Sequence, residues 1–111
     1  MAEQIYHPTT PEEHARRKEL APRIHDAFTA FSKAVFADAA LDERTKQLIA
    51  VAVAHTTQCP YCIDGHTKLA LRKGAKPEEV MEAIWVAAEM RAGGAYAHST
   101  LAMAAIAHER K

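Results

Sequence analysis

The stretch "ERTKQLIAVAVAHTTQCPYCIDGHTKLALRKG", residues 43–74, sets the fold class and holds the chemistry. It reads as two helices meeting at a short turn. Asp42 stands just ahead of the first as a capping residue. Residues 48–54, "LIAVAVA", are apolar on every side of a helix spanning about 43–57. Pro60 suits the first turn of the second helix, where its missing N–H costs nothing. That helix runs from about 60 to 73, and Gly74 ends it. No segment shows the alternation that a half-buried strand needs. A helix apolar all round must be covered on every side, and a short chain cannot easily supply that cover. The protein is therefore expected to oligomerise through this central helix.

Outward from this pair the chain stays helical. Thr10, Pro11 and Glu13 form a helix start, with a capping hydroxyl, a first-turn proline and a glutamate three residues after the cap. Pro22 breaks or kinks that helix. Ile24, Phe28, Phe31 and Val35 then share one face at helical spacing. Toward the C-terminus, "AKPEE" opens a fifth helix with Pro77 near its first position and Glu78 and Glu79 complementing the dipole. It carries Val80, Ile84, Ala87 and Ala88 on one face. Gly93 and Gly94 are expected to end it, and a last helix to span about 95–108. The sum is an all-α domain of five to six helices.

Composition narrows the class of protein. A chain of 111 residues, 49 % hydrophobic and 25 % charged, fits one ordinary globular domain over 1–111. Lys plus Arg and Asp plus Glu both number 14, so no excess positive charge is available for a phosphate backbone, and nucleic acid is not an expected partner. No apolar run approaches the roughly 20 residues of a membrane span, so no membrane partner is expected either. The start lacks a secretion signal. A cytoplasmic location follows as an expectation, and there a permanent structural disulfide is rare.

The chemistry centres on Cys59 and Cys62. Cys59 falls at or just before the first turn of its helix, where unpaired N–H groups and the helix dipole favour an anion. The thiolate is the reactive form; free cysteine titrates near ~8.5, and helix-start CxxC pairs reach roughly 3.5–7.5. The three-residue offset lets the two sulfurs bond, and Pro60 stiffens the turn between them. His66, four residues beyond Cys62, lies on the same helical face and can exchange a proton with it. His55, four residues before Cys59, can approach across the turn. Tyr61, between the cysteines, is placed to shape the entrance to the pair. His7, His14, His25 and His108 read as surface residues, Asp64 as a helix-start charge, and Met81 and Trp85 as core or interface.

Other readings compete. Two small cysteines can be no more than buried apolar residues. A zinc site of Cys59, Cys62, His66 and one more histidine has suitable ligand types but lacks the second separated pair of the familiar structural sites. "CPYC" is also a glutaredoxin active-site sequence, yet that fold needs the motif after a strand in a βαβ unit, and here a helix precedes it. No metal and no cofactor is called for.

The segment "QLIAVAVAHTTQCPYCIDGHTKLALRKGAKPEEVMEAIWVAAEMRAGGAYAHS" resembles the core of the carboxymuconolactone decarboxylase family, in its AhpD-like alkylhydroperoxidase branch, over about residues 28–105. The resemblance implies an all-helical fold and a cysteine-dependent peroxidase or thiol–disulfide oxidoreductase. Cys59 and Cys62 would be the redox pair and His66 the proton relay, acting on a small hydroperoxide and restored by a thiol or disulfide reductant. Small members of that branch assemble as hexamers, three dimers around an axis. The family usually places a glutamate twelve residues before the first cysteine. Gln47 stands there instead, and Glu43, one turn earlier, is a candidate substitute. Helix-start physics favours Cys59 as the more acidic thiol, while nearness to His66 and the family pattern favour Cys62 as the one that attacks the peroxide. The true lactone decarboxylases lack the cysteine pair. A cofactor-free lyase with His66 or His98 as proton donor is the alternative enzyme, and a metal- or redox-responsive oligomer the non-enzymatic one.

Overall fold

The computed structural model describes residues 6–109. Five helices follow in order: α1 (Pro11–Leu20), α2 (Pro22–Phe36), α3 (Glu43–Thr57), α4 (Pro60–Arg72) and α5 (Pro77–Glu109). Among the described residues there is no strand. The local signals act where the sequence places them. The Thr10 hydroxyl accepts from the Glu13 N–H while the Glu13 carboxylate accepts from the Thr10 N–H, which closes a capping box. Pro22 separates α1 from α2, and the Asp42 carboxylate caps α3 by accepting from the Thr45 N–H at 2.8 Å.

The turn between α3 and α4 is as short as such a turn can be. Thr57 closes α3, Gln58 takes the left-handed conformation at φ 57°, and Cys59 is already the N-cap of α4. That conformation costs a residue with a Cβ about 1–2 kcal/mol. Here it lets the N–H groups of Gln58 and Cys59 both return to the Ala54 carbonyl. At the far end of α4, Gly74 sits at φ 96°, where glycine alone is free of that cost.

α3, α4 and α5 form the packed part of the molecule. Arg44 pairs with Glu79 at the start of α3, and the Arg91 guanidinium donates to the Thr56 carbonyl at its end, at 3.2 Å. The two contacts run in the same order along both helices, so α3 and α5 are parallel, and α4 runs back along α3. Val51, Ala70, Ala75 and Val80 make the buried core, with Leu48 and Ile84 half-buried against it. Small side chains at Ala54, Ala70 and Ala87 let the helices approach closely.

Three features differ from the sequence expectation. Gly93 and Gly94 do not end a helix; α5 runs through both, and the expected sixth helix is its continuation. Neither glycine adopts a left-handed angle, and no proline follows. Ending the helix would expose four N–H and four carbonyl groups, against about 1 kcal/mol for each interior glycine. His25 is not a surface residue. It is half-buried, its ring meets that of His14 edge-on at 5.4 Å, and its Nδ1 is buried with no hydrogen-bond partner. Finally, the α5 face that groups Val80, Ile84, Ala87 and Ala88 is covered only in part: Val80 and Ala87 are buried and Ile84 half-buried, while Ala88 is exposed.

Much of the helical surface lacks cover. The α2 stripe is open, with Phe28 66 % exposed, as is Trp85 on α5 at 65 %. Since Arg91 is level with the end of α3, residues 92–109 overhang the packed helices by about 27 Å. The radius of gyration, 19.4 Å, far exceeds the roughly 13 Å of a compact domain near this length. Among the described residues, no helix is long and apolar enough to cross a membrane.

Candidate active site

The tight α3–α4 turn places both cysteines at one helix start. Cys59 caps α4 with its own sulfur, which accepts the Cys62 N–H at 3.3 Å. The two sulfurs lie 2.6 Å apart, in direct contact. A small adjustment would bring them to the ~2.05 Å of an S–S bond. The shared proton splits the pair. The S–H bond from Cys62, then its backbone N–H and that of Tyr61, hold the Cys59 thiol below its ordinary value. The same bond, with burial and the Cys59 charge, pushes Cys62 up. Of the two, Cys59 is thus the more acidic thiol and Cys62 the less acidic one.

One turn further on, His66 is held from two sides. Its Nδ1 lies 2.7 Å from the Gln47 Oε1 on α3, and its ring stacks on Phe36 at 5.2 Å and 26°. Gln47 is only 2 % exposed and is the one buried polar side chain among the described residues. Donation from Nδ1 to that oxygen leaves the Nε2 lone pair free. Phe36 is the site residue that sequence reasoning missed. It lies one position past Val35, the last residue of the α2 stripe, and only the contact of its ring with His66 reveals it.

The remaining candidates lie elsewhere. Glu43 does not substitute for an acid at His66: its carboxylate pairs with Lys73 at 3.3 Å, at the far end of α4. His55 donates its Nδ1–H to the Val51 carbonyl of its own helix at 2.8 Å. His98 bonds the Gly94 carbonyl and sits on the overhang of α5, beyond the level of the α3–α4 turn. Tyr61 points away from the pocket that Cys62 lines. It stacks edge-on with Tyr6 at 5.9 Å and faces the N-terminal segment.

Three recesses adjoin this region, one of them, of about 310 Å³, lined by Tyr6, Pro60, Tyr61 and Asp64 among others; the other two bracket it in size. The larger, of about 870 Å³, is an open depression between α1 and Tyr61, lined by His7, Glu12, Glu13, Arg16 and Arg17 among others. The smaller, of about 150 Å³, is walled by Ala50, Val53, Ala54 and Thr57 and floored by Cys62 and His66. The smaller recess is the one lined by both a thiol and an imidazole, Cys62 and His66. Its size admits the head of a small molecule. Among the described residues, no group of three or more His, Cys, Asp or Glu side chains is placed to hold a metal ion.

A pair of close thiols at a helix start, with a histidine one turn on, is a site for thiol redox or proton-transfer chemistry on an all-helical scaffold. The carboxymuconolactone decarboxylase family model matches residues 22–105, and the chain belongs to that family. It is 71 % identical over 83 residues to uncharacterized protein 4 in the cox locus of Paracoccus denitrificans, covering 75 % of each chain. An uncharacterized Haemophilus influenzae protein is 37 % identical over 84 residues, covering 76 % of this chain and 74 % of that one. Among solved structures, a Methanobacterium thermoautotrophicum protein superposes with TM-score 0.71 at 36 % identity, covering 75 % of this chain and 93 % of its own. An apo carboxymuconolactone decarboxylase family protein of Legionella pneumophila does so at 0.68 and 34 %, covering 71 % and 70 %.

Proposed function

We propose that the protein is an AhpD-like thiol peroxidase, or a dithiol oxidoreductase of the same chemistry, using Cys59 and Cys62 as the redox pair. The observation that carries the reading is the 2.6 Å approach of the two sulfurs at the start of α4, with His66 floored into the same small pocket as Cys62. Acidity and access point to different cysteines: Cys59 is the more acidic, whereas Cys62 faces the pocket. Access decides, because the attacking sulfur must touch the peroxide oxygen.

In the first step the Cys62 thiol gives its proton to His66 Nε2 and its sulfur attacks the terminal peroxide oxygen. The O–O bond breaks, Cys62 becomes a sulfenic acid, and the departing alkoxide takes the proton from His66 to leave as an alcohol. In the second step the Cys59 thiolate attacks the Cys62 sulfur. The S–S bond forms and hydroxide leaves, taking up a proton as water. Peroxide is reduced by two electrons and the dithiol oxidised by two; a thiol or dithiol reductant must return them. The walls of the pocket, mostly apolar, suit a small alkyl hydroperoxide.

The same reading has the protein work as a homo-oligomer, a hexamer of three dimers. The exposed Phe28 and Trp85 and the uncovered side of α3 at Ile49 and Val53 supply apolar surface for it, and sedimentation of the purified protein measures it directly.

The test of the chemistry is hydroperoxide consumption with a dithiol reductant. Cys62→Ser is expected to abolish it, and His66→Ala to slow it by roughly 10²–10⁴-fold. Full activity in Cys62→Ser would reject the assignment of the attacking sulfur. Lactone turnover that survives loss of both cysteines would replace the reading with the lyase activity for which the family is named.

A further inference from the structure

The recess floored by Cys62 and His66 is a gap between one stripe of α3 and one of α4. Ala50, Val53, Ala54 and Thr57 recur on α3 at spacings of three and four, and Cys62 and His66 stand four apart on α4, so each set shares a helical face. Two of the four wall residues are alanines, whose side chains stop at Cβ and leave the space open. Ala54, at 2 % exposure, belongs to the packing between the helices. Ala50 is half-buried and Val53 is 53 % exposed at the rim, so a change of size at either reshapes the recess before it disturbs the core. The wall's one hydroxyl, on Thr57, turns back to the Ala54 carbonyl of its own helix. Among the described residues, no carboxylate, Lys or Arg side chain lines the recess. Size, not charge, is left to sort what enters. An apolar space of about 150 Å³ holds one group about as large as a benzene ring.

We propose that Ala50 and Val53 are the specificity-determining residues of the site, limiting what reaches the Cys62 sulfur to one compact organic group of about ring size. The substrate class that follows rests on the reading of Cys62 as the attacking thiol: a hydroperoxide whose peroxide-bearing carbon carries a compact tertiary or benzylic group. Such a group gains about 4-fold in binding for each CH₂ it buries against the wall. Hydrogen peroxide has no carbon to bury and gains nothing there. A fatty-acyl hydroperoxide carries two long arms on the carbon that bears the peroxide, and space for one ring leaves the second arm outside. Cys59 does not line the recess, so the filter acts on one thiol of the pair and spares the other.

The test uses the reduced full-length protein, alkylated with iodoacetamide or with its N-benzyl derivative. The reagents share one reacting carbon and differ by a ring, and tandem mass spectrometry reads each cysteine separately. In wild type the benzyl-to-plain rate ratio is expected to be higher at Cys62 than at Cys59. Ala50→Leu, which fills the recess, should lower the Cys62 ratio by about 10-fold or more, the cost of surplus methylenes in a pocket. In Val53→Ala the wider mouth admits the bulkier N-(naphthylmethyl) reagent, whose rate at Cys62 relative to the benzyl reagent rises by about 10-fold. With a dithiol reductant, the kcat/KM preference for tert-butyl hydroperoxide over hydrogen peroxide should fall in Ala50→Leu by a factor like that of the alkylation ratio. A wild-type ratio equal at the two cysteines overturns the proposal, as do Cys62 ratios unmoved in both folded variants. If Ala50→Leu does not fold, Val53→Ala, at the exposed rim, still decides. Shifted ratios in a protein that consumes no hydroperoxide would retire the peroxidase reading and leave the filter standing. Unmoved ratios in a protein that does consume it would reject the filter alone.

Discussion

The α3–α4 hairpin and the α5 overhang are both regular helix, and they are stabilised by different things. In the hairpin, every backbone end is tied: Asp42 caps one end, Gln58 and Cys59 close the turn on Ala54, and Gly74 and Ala75 return to α4 carbonyls. Its inner face is buried, with Val51 and Ala70 at 0 % exposure. In the overhang, Tyr96, Leu101, Met103 and Ile106 are all largely exposed, and the helix rests on propensity and on continuity with its packed first half. The difference teaches where function can be precise. A redox pair and its base need positions fixed to within about half an ångström, and only the covered hairpin offers that in a single chain.

Core truncation gives the largest expected contrast. Val51→Ala should cost about 2 kcal/mol, from two buried methyl groups and the cavity they leave. Leu101→Ala should change the stability of dilute protein by under about 0.5 kcal/mol, as exposed sites do. Urea denaturation compares them. If Leu101→Ala becomes costly as protein concentration rises, a second copy covers the overhang; equal costs at every dilution would break the distinction between the two regions.

Acidity tests the hairpin next. The fold lowers the Cys59 thiol, so its contribution to stability is absent below its folded titration, grows as pH rises through it, and is complete above the ordinary thiol range. The fold raises Cys62, so above the ordinary range the fold loses stability by holding that thiol protonated. Reduced wild type is therefore expected to pass through a stability maximum on the alkaline side of neutrality. In Cys59→Ser the rising limb should vanish. A flat profile in wild type would show that the sulfurs do not share a proton.

The smallest effect belongs to the overhang. A Cβ on Gly94 would meet nothing within 4 Å, and the helix continues through it. Gly94→Ala should raise stability by about 0.5–1 kcal/mol by restricting the unfolded chain. A loss in thermal melting instead would mean that the helix ends there or that another surface approaches too closely for a side chain.

The legible parts of this protein were the local ones. Asp42, Pro60 and Gly74 set helix limits that match the structure within a residue or two, because a cap, a proline ring and a left-handed glycine act on atoms within four residues. The spacing of Cys59, Cys62 and His66 was fixed for the same reason: three and four residues on a helix are one turn. The double glycine misled because an end also requires somewhere else for the chain to go, and residues 95–109 remain good helix formers. What tertiary structure alone decided is which residue meets His66. Glu43 and Gln47 lie one turn apart on the same helix, and the antiparallel crossing of α3 and α4 puts Gln47 beside the imidazole and Glu43 beside Lys73. Phe36, at the end of α2, reaches the same ring only through the tertiary fold. Sequence determined the chain's helices and where its thiols stand on them. The choice of a neutral amide over a carboxylate as the partner of the base came from the packing of helix against helix, which contact across 19 residues records and local spacing does not.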